Sequence, residues 1–404
     1  MTAAAEKADP PIGQAEFIAL IGTLFATIAF SIDAMLPALP AIGAELSPDD
    51  PQLAPLILTS FVLGMGFGTF FVGPLSDAFG RRPVIFAGTA LYIIAAIWAF
   101  FAGSLESALA ARVLAGIGVA APRIVTLAIV RDLYSGRVMA RIFSFAMTVF
   151  TVFPAVAPLI GDAIIHSLGW RSIFLAFIMF AAVSVGWLAL RLPEPLPPEA
   201  RRPLAFAAIA AGVVETLRLR QMQLSILVQT IVFGILFGMI SSVQSIFDQT
   251  YGQAETFPWW FFFIALLAFP AAPLNGVLVT RLGMRPLVRR ALIWSLIFAI
   301  GFAGTAMTGI AGRFELWLFF FWSVTLFGNV AFTIGNLNAL ALEPLGHIAG
   351  LASSLMAGLS TVGGAVIGSV IGQFFDGTPV PMALSTAVLS ALAIPIMVVM
   401  PRER

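Results

Sequence analysis

Long apolar runs alternate with short polar segments along almost the whole chain, and this pattern predicts membrane-spanning helices. A helix needs about 20 apolar residues to cross the hydrocarbon core of a bilayer. An apolar stretch at residues 204–217 is too short to span and lies between arginines, which predicts a helix at the membrane interface or in the cytoplasm. Twelve runs are long enough to span: 17–40, 53–76, 84–103, 106–130, 139–164, 170–190, 222–246, 257–280, 287–308, 314–339, 347–373 and 380–400.

The composition agrees with an all-α polytopic membrane protein. Of 404 residues, 60% are hydrophobic and 10% are charged, whereas a soluble protein carries about 25% charged residues. The charges are scattered rather than clustered, so we expect no nucleic-acid partner. The chain has no cysteine, which excludes disulfides, cysteine-based zinc sites and thiol catalysis. We expect no metal site and no cofactor.

The distribution of arginine predicts the orientation of the spans. With the N-terminus in the cytoplasm, nearly all loop arginines fall on the cytoplasmic side, and the opposite side has only Arg171 and Arg313 near span ends. The positive-inside rule then places both termini in the cytoplasm, and an even number of spans agrees. We expect a multi-pass protein of the cell membrane, in a bacterium the inner membrane.

The longest connection divides the spans into two groups of six. It opens Pro193-Glu-Pro-Leu-Pro-Pro-Glu-Ala-Arg-Arg202, and residues 193–221 are predicted to be a cytoplasmic linker. The predicted parts are a tail at 1–16, a six-helix bundle at 17–192, the linker, a second bundle at 222–400 and a tail at 401–404.

A short motif occurs once in each half. Gly73-Pro-Leu-Ser-Asp-Ala-Phe-Gly-Arg-Arg-Pro83 and Gly276-Val-Leu-Val-Thr-Arg-Leu-Gly-Met-Arg-Pro286 share Gly, Leu, Gly, Arg and Pro at an offset of 203 residues. Each copy lies between the second and third span of its half. Two six-span repeats are typical of a transporter with a site between them.

The first copy of this motif resembles the signature loop of the major facilitator superfamily. The resemblance covers nearly the whole chain in span count and implies that fold. Asp77 can accept hydrogen bonds from basic residues or from a helix N-terminus of the other half. We expect a cytoplasmic latch that holds the halves together in the outward-open state, formed by Gly73, Asp77, Gly80, Arg81 and Arg82. The alternative is an ordinary solvated basic loop.

Further motifs resemble the drug:proton antiporters of the bicyclomycin and chloramphenicol resistance type. These are Asp33-Ala-Met-Leu-Pro37-Ala-Leu-Pro40, Arg112-Val-Leu-Ala-Gly116-Ile-Gly118 and Arg131-Asp132-Leu-Tyr134. Ala157 and Asp162 stand where the fifth-span antiporter motif has glycines, which leaves uptake open as an alternative to export.

Charges inside the spans point to proton handling in the first half. An ionisable side chain at mid-bilayer costs roughly 2.5–3.5 kcal/mol, so it usually faces a partner or a cavity. Asp33 and Arg112 are predicted at similar depth, where they can meet or share a cavity, and we expect them to couple proton movement to transport. The alternative is a static ion pair. Pro37 and Pro40 are expected to end or bend the helix beyond Asp33.

The second half offers neutral polar groups at depth. For the asparagine and glutamine side chains, the alternative explanation is a hydrogen bond between helices. For Arg123 of the first half, the alternative is that the side chain snorkels to the membrane surface. The candidate cavity residues are Arg123, Gln229, Asn329, Asn336 and Asn338.

Together these features predict a secondary active transporter. We expect proton-coupled export of moderately apolar organic compounds or drugs by alternating access, a role in multidrug efflux and antibiotic resistance. Uptake of a small organic solute with protons is the alternative. The chain lacks a GxxxxGK[ST] phosphate loop, which argues against ATP drive. A membrane-embedded enzyme is not expected, because no catalytic set lies in the spans. The expected partners are a small-molecule substrate, protons and the lipid bilayer, for a monomeric protein.

Overall fold

The computed structural model describes residues 12–134, 136–201, 204 and 206–401, and within them it contains helices and no β-strand. Most of the predicted N-terminal tail and residues 402–404 of the predicted C-terminal tail lie outside the described residues. The helices are α1 (Gln14–Asp33), α2 (Leu39–Leu46), α3 (Leu56–Phe79), α4 (Arg81–Phe100), α5 (Leu105–Leu133), α6 (Gly136–Leu168), α7 (Ser172–Arg191), α8 (Phe206–Arg218), α9 (Arg220–Ser245), α10 (Phe257–Ala268), α11 (Ala271–Leu282), α12 (Met284–Thr308), α13 (Glu315–Leu342), α14 (Ala349–Gln373) and α15 (Val380–Val399).

The helices match the predicted spans. In the described part of the chain, 11 helical segments are long and apolar enough to cross a bilayer. The remaining predicted span falls on α6, whose later part, Val152–Leu168, is a shorter apolar helix. Each predicted span therefore coincides with a helix or a pair of helices, and the all-α polytopic fold is confirmed.

The first span is not one continuous helix. α1 ends at Asp33, and a 3-10 turn at Leu36–Ala38 leads into α2. Pro37 has no backbone N–H, so it cannot donate the hydrogen bond that an α-helix would give the Asp33 carbonyl. The Met35 N–H bonds to the Ile32 carbonyl at 3.3 Å, one residue short of the α-helical pattern. The chain therefore leaves the α-helix immediately after its buried carboxyl group.

The predicted eighth span, residues 257–280, is also divided. α10 ends at Ala268 and α11 begins at Ala271, with Phe269 and Pro270 between them. Pro270 cannot donate to the carbonyl four residues before it, and its ring crowds that carbonyl. The apolar pattern predicts one run here and does not reveal the break.

The two copies of the repeated motif have the same backbone conformation. Gly80 separates α3 from α4, and Gly283 separates α11 from α12. Their φ angles are 102° and 79°, in a region that glycine enters without steric cost. The end of the bundle that holds these two glycines is called the motif side.

The shared arginine of the motif also has the same role in both halves. Arg82 Nη2 donates to the Ala189 carbonyl near the end of α7 at 2.8 Å. Arg285 Nε donates to the Met397 carbonyl near the end of α15 at 3.0 Å. A basic side chain at a helix C-terminus satisfies carbonyls that have no partner within the helix. The repeat in sequence is therefore a repeat of structural contacts.

The two halves contact each other along α3 and α14. Toward the motif side, the Phe70 ring lies over Gly358, where a side chain would have no room. At the opposite end, Gln373 Nε2 donates to the Gln52 carbonyl at 3.3 Å. The contact between the halves thus runs along most of these two helices.

The two parts of the eighth span are packed differently. α10, away from the motif side, packs against α6 of the first half, and its Phe257 and Phe261 are buried. No residue of α11, on the motif side, is buried. The large apolar core includes residues of both halves, whereas a second buried cluster at the motif side is built from the second half. The halves are therefore packed more tightly away from the motif side.

The connection between the halves contains the short helix α8. It lies close to the predicted stretch at 204–217 and packs against α9 and α14. Gly212 faces the Leu351 side chain of α14 with little room for a larger residue. α8 is therefore docked on the second half.

Candidate functional site

Asp33 is the last residue of α1 and is only 5% exposed. Among the described residues, no hydrogen bond or ion pair to its carboxyl group is present. A buried charge without a partner costs free energy, and a carboxyl group avoids that cost by binding a proton. Asp33 can therefore change its charge in response to its surroundings.

Arg112 lies on α5 and is 1% exposed. Its Nη2 donates to the Ser31 carbonyl at 2.8 Å, and its Nε donates to the Ile57 carbonyl at 3.2 Å. Its guanidinium carbon lies 4.1 Å from the centre of the Phe61 ring, a cation–π contact. α1 and α5 are neighbours as expected, but in this structure Arg112 and Asp33 do not form an ion pair.

The Arg112 contact takes part in ending α1. In an uninterrupted helix, the Ser31 carbonyl would accept from the Met35 N–H. Here that carbonyl accepts from Arg112, and Met35 bonds elsewhere. The guanidinium thus acts as a cap for the C-terminal end of α1, two residues before Asp33. The same backbone turn connects the buried carboxyl group to the buried cation.

Tyr92 is a member of this site that the sequence analysis did not identify. It lies on α4, is 1% exposed, and its hydroxyl is 2.5 Å from Ser31 Oγ. The chain has 3 tyrosines, and a tyrosine within an apolar span is the one signal that points to it. α1, α4 and α5 therefore meet at Ser31.

The signature loop forms a second cluster, centred on Arg81. Arg81 Nη1 donates to Asp77 Oδ1 at 2.5 Å and to Ser76 Oγ at 2.8 Å, and Nε donates to Asp132 Oδ2 at 2.7 Å. Its side chain is buried, whereas that of Asp77 is 43% exposed. Two carboxylates thus share one buried guanidinium, which offsets the cost of its burial.

Glu194 holds the linker against the same loop. Its carboxylate accepts from the backbone N–H of Arg81 at 2.8 Å and of Arg82 at 2.9 Å. These N–H groups open α4, where they have no partner within the helix, and a carboxylate is favoured there. A side chain at Gly80 would meet this carboxylate at 3.1 Å. No spacing rule links residue 194 to residue 81, so the sequence does not predict the contact.

The predicted latch residues are therefore all at one end of the bundle. Asp77, Gly80, Arg81 and Arg82 contact one another or the end of the first half. Gly73 faces Ser354 of α14, whose hydroxyl would lie 3.4 Å from a Cβ atom placed on that glycine. In this structure Asp77 bonds within its own half.

The polar residues predicted in the second half do not form one cluster. Asn336 Nδ2 donates to Asn275 Oδ1 at 2.8 Å, a hydrogen bond between α13 and α11. Gln229 is buried on α9, and its Oε1 has no hydrogen-bond partner in the described structure. Asn329 and Asn338 are half-buried on α13.

Arg123 is half-buried on α5, one residue after Pro122. Its Nη1 is shielded from solvent and has no hydrogen-bond partner among the described residues. Among all the residues that the structure describes, no group of three or more His, Asp and Glu side chains is arranged to hold a metal ion.

Comparison with known proteins places this architecture in a family. Residues 19–369 match the family model described as Major Facilitator Superfamily. A bicyclomycin resistance protein homolog of Haemophilus influenzae is 28% identical over 93% of this chain and 94% of its own length. A chloramphenicol resistance protein of Pseudomonas aeruginosa is 36% identical over 39% of this chain and 38% of its own. Multidrug resistance protein MdtL of Shigella flexneri is 32% identical over 42% of this chain and 44% of its own length.

Solved structures give the same result for the fold. A partially occluded inward-open conformation of the xylose transporter XylE from E. coli matches with a TM-score of 0.75 at 12% identity, over 96% of this chain and 98% of that one. A D-xylose-proton symporter matches with a TM-score of 0.74 at 15% identity over the same shares. The chain belongs to the Major Facilitator Superfamily, resembles its drug:proton antiporter branch, and is a membrane transporter rather than an enzyme.

Proposed function

We propose that this transporter exports moderately apolar organic compounds and that an inward flow of protons drives the export. The observation that carries the proposal is Asp33, a buried carboxyl group without a partner in the described structure at the point where α1 breaks. Such a group binds a proton when its surroundings are apolar and releases it when water or a cation reaches it. Alternation between those surroundings is what proton coupling requires.

The direction of transport is supported by the relatives. Those described above are named for resistance to bicyclomycin, to chloramphenicol or to several drugs, and resistance agrees with export. Uptake with protons is the second candidate. The observation that favours uptake is the D-xylose-proton symporter among the structural neighbours. At 15% identity, that similarity is one of fold alone.

The packing of the halves supports alternating access. α10 packs on α6 away from the motif side, whereas α11 has no buried residue on the motif side. With both termini and the motif side in the cytoplasm, as the arginines predict, this is an inward-facing arrangement. We propose that bundles at residues 17–192 and 222–400 rock about the contact between α3 and α14, in a monomer in the cell membrane.

The signature loop fits a latch that is open in this conformation. Asp77 bonds to Arg81 of its own half, and we propose that it turns to the second half when the motif side closes. Asp77, Gly80, Arg81 and Arg82 with Gly73 then hold the outward-open state. We propose Arg123, Gln229, Asn329, Asn336 and Asn338 as residues that line the substrate path.

The test is transport by inverted membrane vesicles with an imposed proton gradient and a panel of apolar compounds. We expect accumulation in wild-type vesicles that collapses when an ionophore removes the gradient. Asp33→Asn is expected to insert normally and to bind substrate, but to lose gradient-driven accumulation. Asp49→Asn is the matched control, because Asp49 is an exposed carboxylate beyond α2.

Three outcomes would contradict parts of the proposal. Accumulation without gradient dependence would exclude proton coupling. Transport that is found only in right-side-out vesicles would favour uptake. Wild-type accumulation by Asp33→Asn, with an unchanged pH dependence, would remove Asp33 from the coupling site.

A further inference from the structure

The contact between Tyr92 and Ser31 is buried, short and located beside the proposed coupling site. Both residues are at most 1% exposed, and their oxygen atoms lie 2.5 Å apart. Ser31 also connects to Arg112 through its carbonyl. Tyr92 of α4 therefore contacts Ser31, the residue of α1 whose carbonyl is capped by Arg112 of α5.

The direction of this hydrogen bond follows from the proton count. Ser31 Oγ donates to the Thr27 carbonyl at 2.7 Å, and a serine hydroxyl has one proton to donate. The phenol of Tyr92 must then donate to Ser31 Oγ. Ser31 Oγ thus donates within α1 and accepts from Tyr92 of α4, while the Ser31 carbonyl accepts from Arg112 of α5.

The Tyr92 side chain is buried in the core, and its hydrogen bond to Ser31 adds a directional anchor to that packing. A cavity of about 10 Å³ lies beside Tyr92, lined by Thr27, Thr89 and Ser184 among others. Thr89 is 5% exposed and its Oγ1 has no hydrogen-bond partner in the described structure. Loss of the Tyr92 hydroxyl would remove the hydrogen bond between α4 and Ser31 of α1, so α1 would be less firmly attached to α4.

We propose that Tyr92 is a positioning residue of the Asp33 and Arg112 site, which it controls by anchoring Ser31. With Ser31 anchored, its carbonyl stays within reach of Arg112 and keeps the guanidinium away from Asp33. Without the anchor, Arg112 exchanges this carbonyl for the Asp33 carboxylate, which is the stronger acceptor. The inference rests on the proposed function, because it concerns the environment of the proton-binding carboxyl group.

The helices packed against α1 carry further charged groups. α4 brings Tyr92 and α5 brings Arg112 to the site. On α6, Asp162 follows Gly161, which packs directly on the Ala34 backbone, and its carboxylate lies 3.2 Å from His166 Nδ1. Arg141 of α6 lies over the Phe145 ring of the same helix. Arg171 precedes α7 and Arg191 ends it, and each pairs with a glutamate. α5 also carries Arg123, eleven residues after Arg112 and therefore about 16 Å farther along the helix. Arg112 is the cation that a hydrogen bond holds two residues from Asp33.

The experiment compares Tyr92→Phe with wild type over a range of pH in vesicles and in purified protein. The first readout is the pH at half-maximal transport. The second needs no substrate and is the pH dependence of protection against amide hydrogen exchange at residues 34–36, 38 and 39. Tyr251→Phe is the matched control, since it removes a similar hydroxyl that bonds to Glu315 at 3.2 Å in the second half.

We expect Tyr92→Phe to move both midpoints toward acid by about 0.5–1 pH unit, a three- to tenfold change in proton affinity, in keeping with the loss of one buried hydrogen bond. Ser31→Ala removes the acceptor of the same bond and should move both midpoints in the same direction. Tyr251→Phe should move neither.

Unchanged midpoints in both Tyr92→Phe and Ser31→Ala would overturn the inference, and so would an equal shift in Tyr251→Phe. Failure of the proposed function has a different signature, in which wild-type transport is independent of pH and Asp33→Asn transports normally. The exchange experiment then decides the inference about Tyr92 by itself.

Discussion

A close crossing of α4 and α5 gives a sharp test of how this fold is packed. Gly118 of α5 faces Gly88 of α4, and the two backbones touch where neither residue has a side chain. A Cβ atom on Gly118 would lie 2.5 Å from the Gly88 carbonyl oxygen and 2.7 Å from the Tyr92 backbone nitrogen. Small residues allow such contacts between helices in membranes.

The substitution Gly118→Ala therefore requires a movement of helix backbone, because no flexible side chain can yield. An ordinary contact begins near 3.4 Å, so the two helices must separate by somewhat less than 1 Å. Overpacking of this kind costs about 1–3 kcal/mol. The better helix propensity of alanine returns about 1 kcal/mol, and we expect a net loss of up to about 2 kcal/mol in the free energy of unfolding.

Gly186→Ala is the matched control for this prediction. Gly186 lies on α7 in the same half, and no neighbouring atom lies within 4 Å of the place that a Cβ atom would take there. This change should leave the free energy of unfolding equal to that of wild type or raise it by up to about 1 kcal/mol. The measurement is reversible unfolding in mixed micelles at increasing SDS. If Gly118→Ala is as stable as Gly186→Ala, the close approach of α4 and α5 is incorrect.

Three further predictions concern the latch, the cation and the topology. Asp77→Asn should express normally and lose less than about 1 kcal/mol of stability, because Arg81 keeps its bond to Asp132. It should nevertheless slow transport, and a wild-type transport rate in vesicles would exclude the latch. Arg112→Ala should impair transport and change the pH dependence of substrate binding, measured by ligand fluorescence, and binding with a wild-type pH profile would contradict its assigned role. Single cysteines placed at Ser47, Gly103 and Thr378 should react with an impermeant thiol reagent from outside intact cells, whereas a cysteine placed at Ala3 in the N-terminal tail should not. Labelling at Ala3 from outside would refute the topology.

The sequence by itself determined the membrane-spanning architecture. A bilayer accepts a helix only where about 20 apolar residues follow one another, so the spans can be read without knowledge of their neighbours. The prolines after Asp33 indicated the end of α1 in the same way, because a missing N–H acts within one turn. The repeated glycines at 80 and 283 share a conformation that their own backbones make possible.

The partners of the buried polar groups were decided by the tertiary structure alone. Arg112 and Ser31 are 81 residues apart, Tyr92 and Ser31 are 61 apart, and Glu194 lies 112 residues from the N–H group of Arg82. Sequence reasoning could place Asp33 and Arg112 at similar depth, but depth does not fix which face of each helix meets which neighbour. The close crossing of α4 with α5 and the break after α1 bring those faces together. Packing thus gave Arg112 two backbone carbonyls, and left Asp33 without a partner in the described structure.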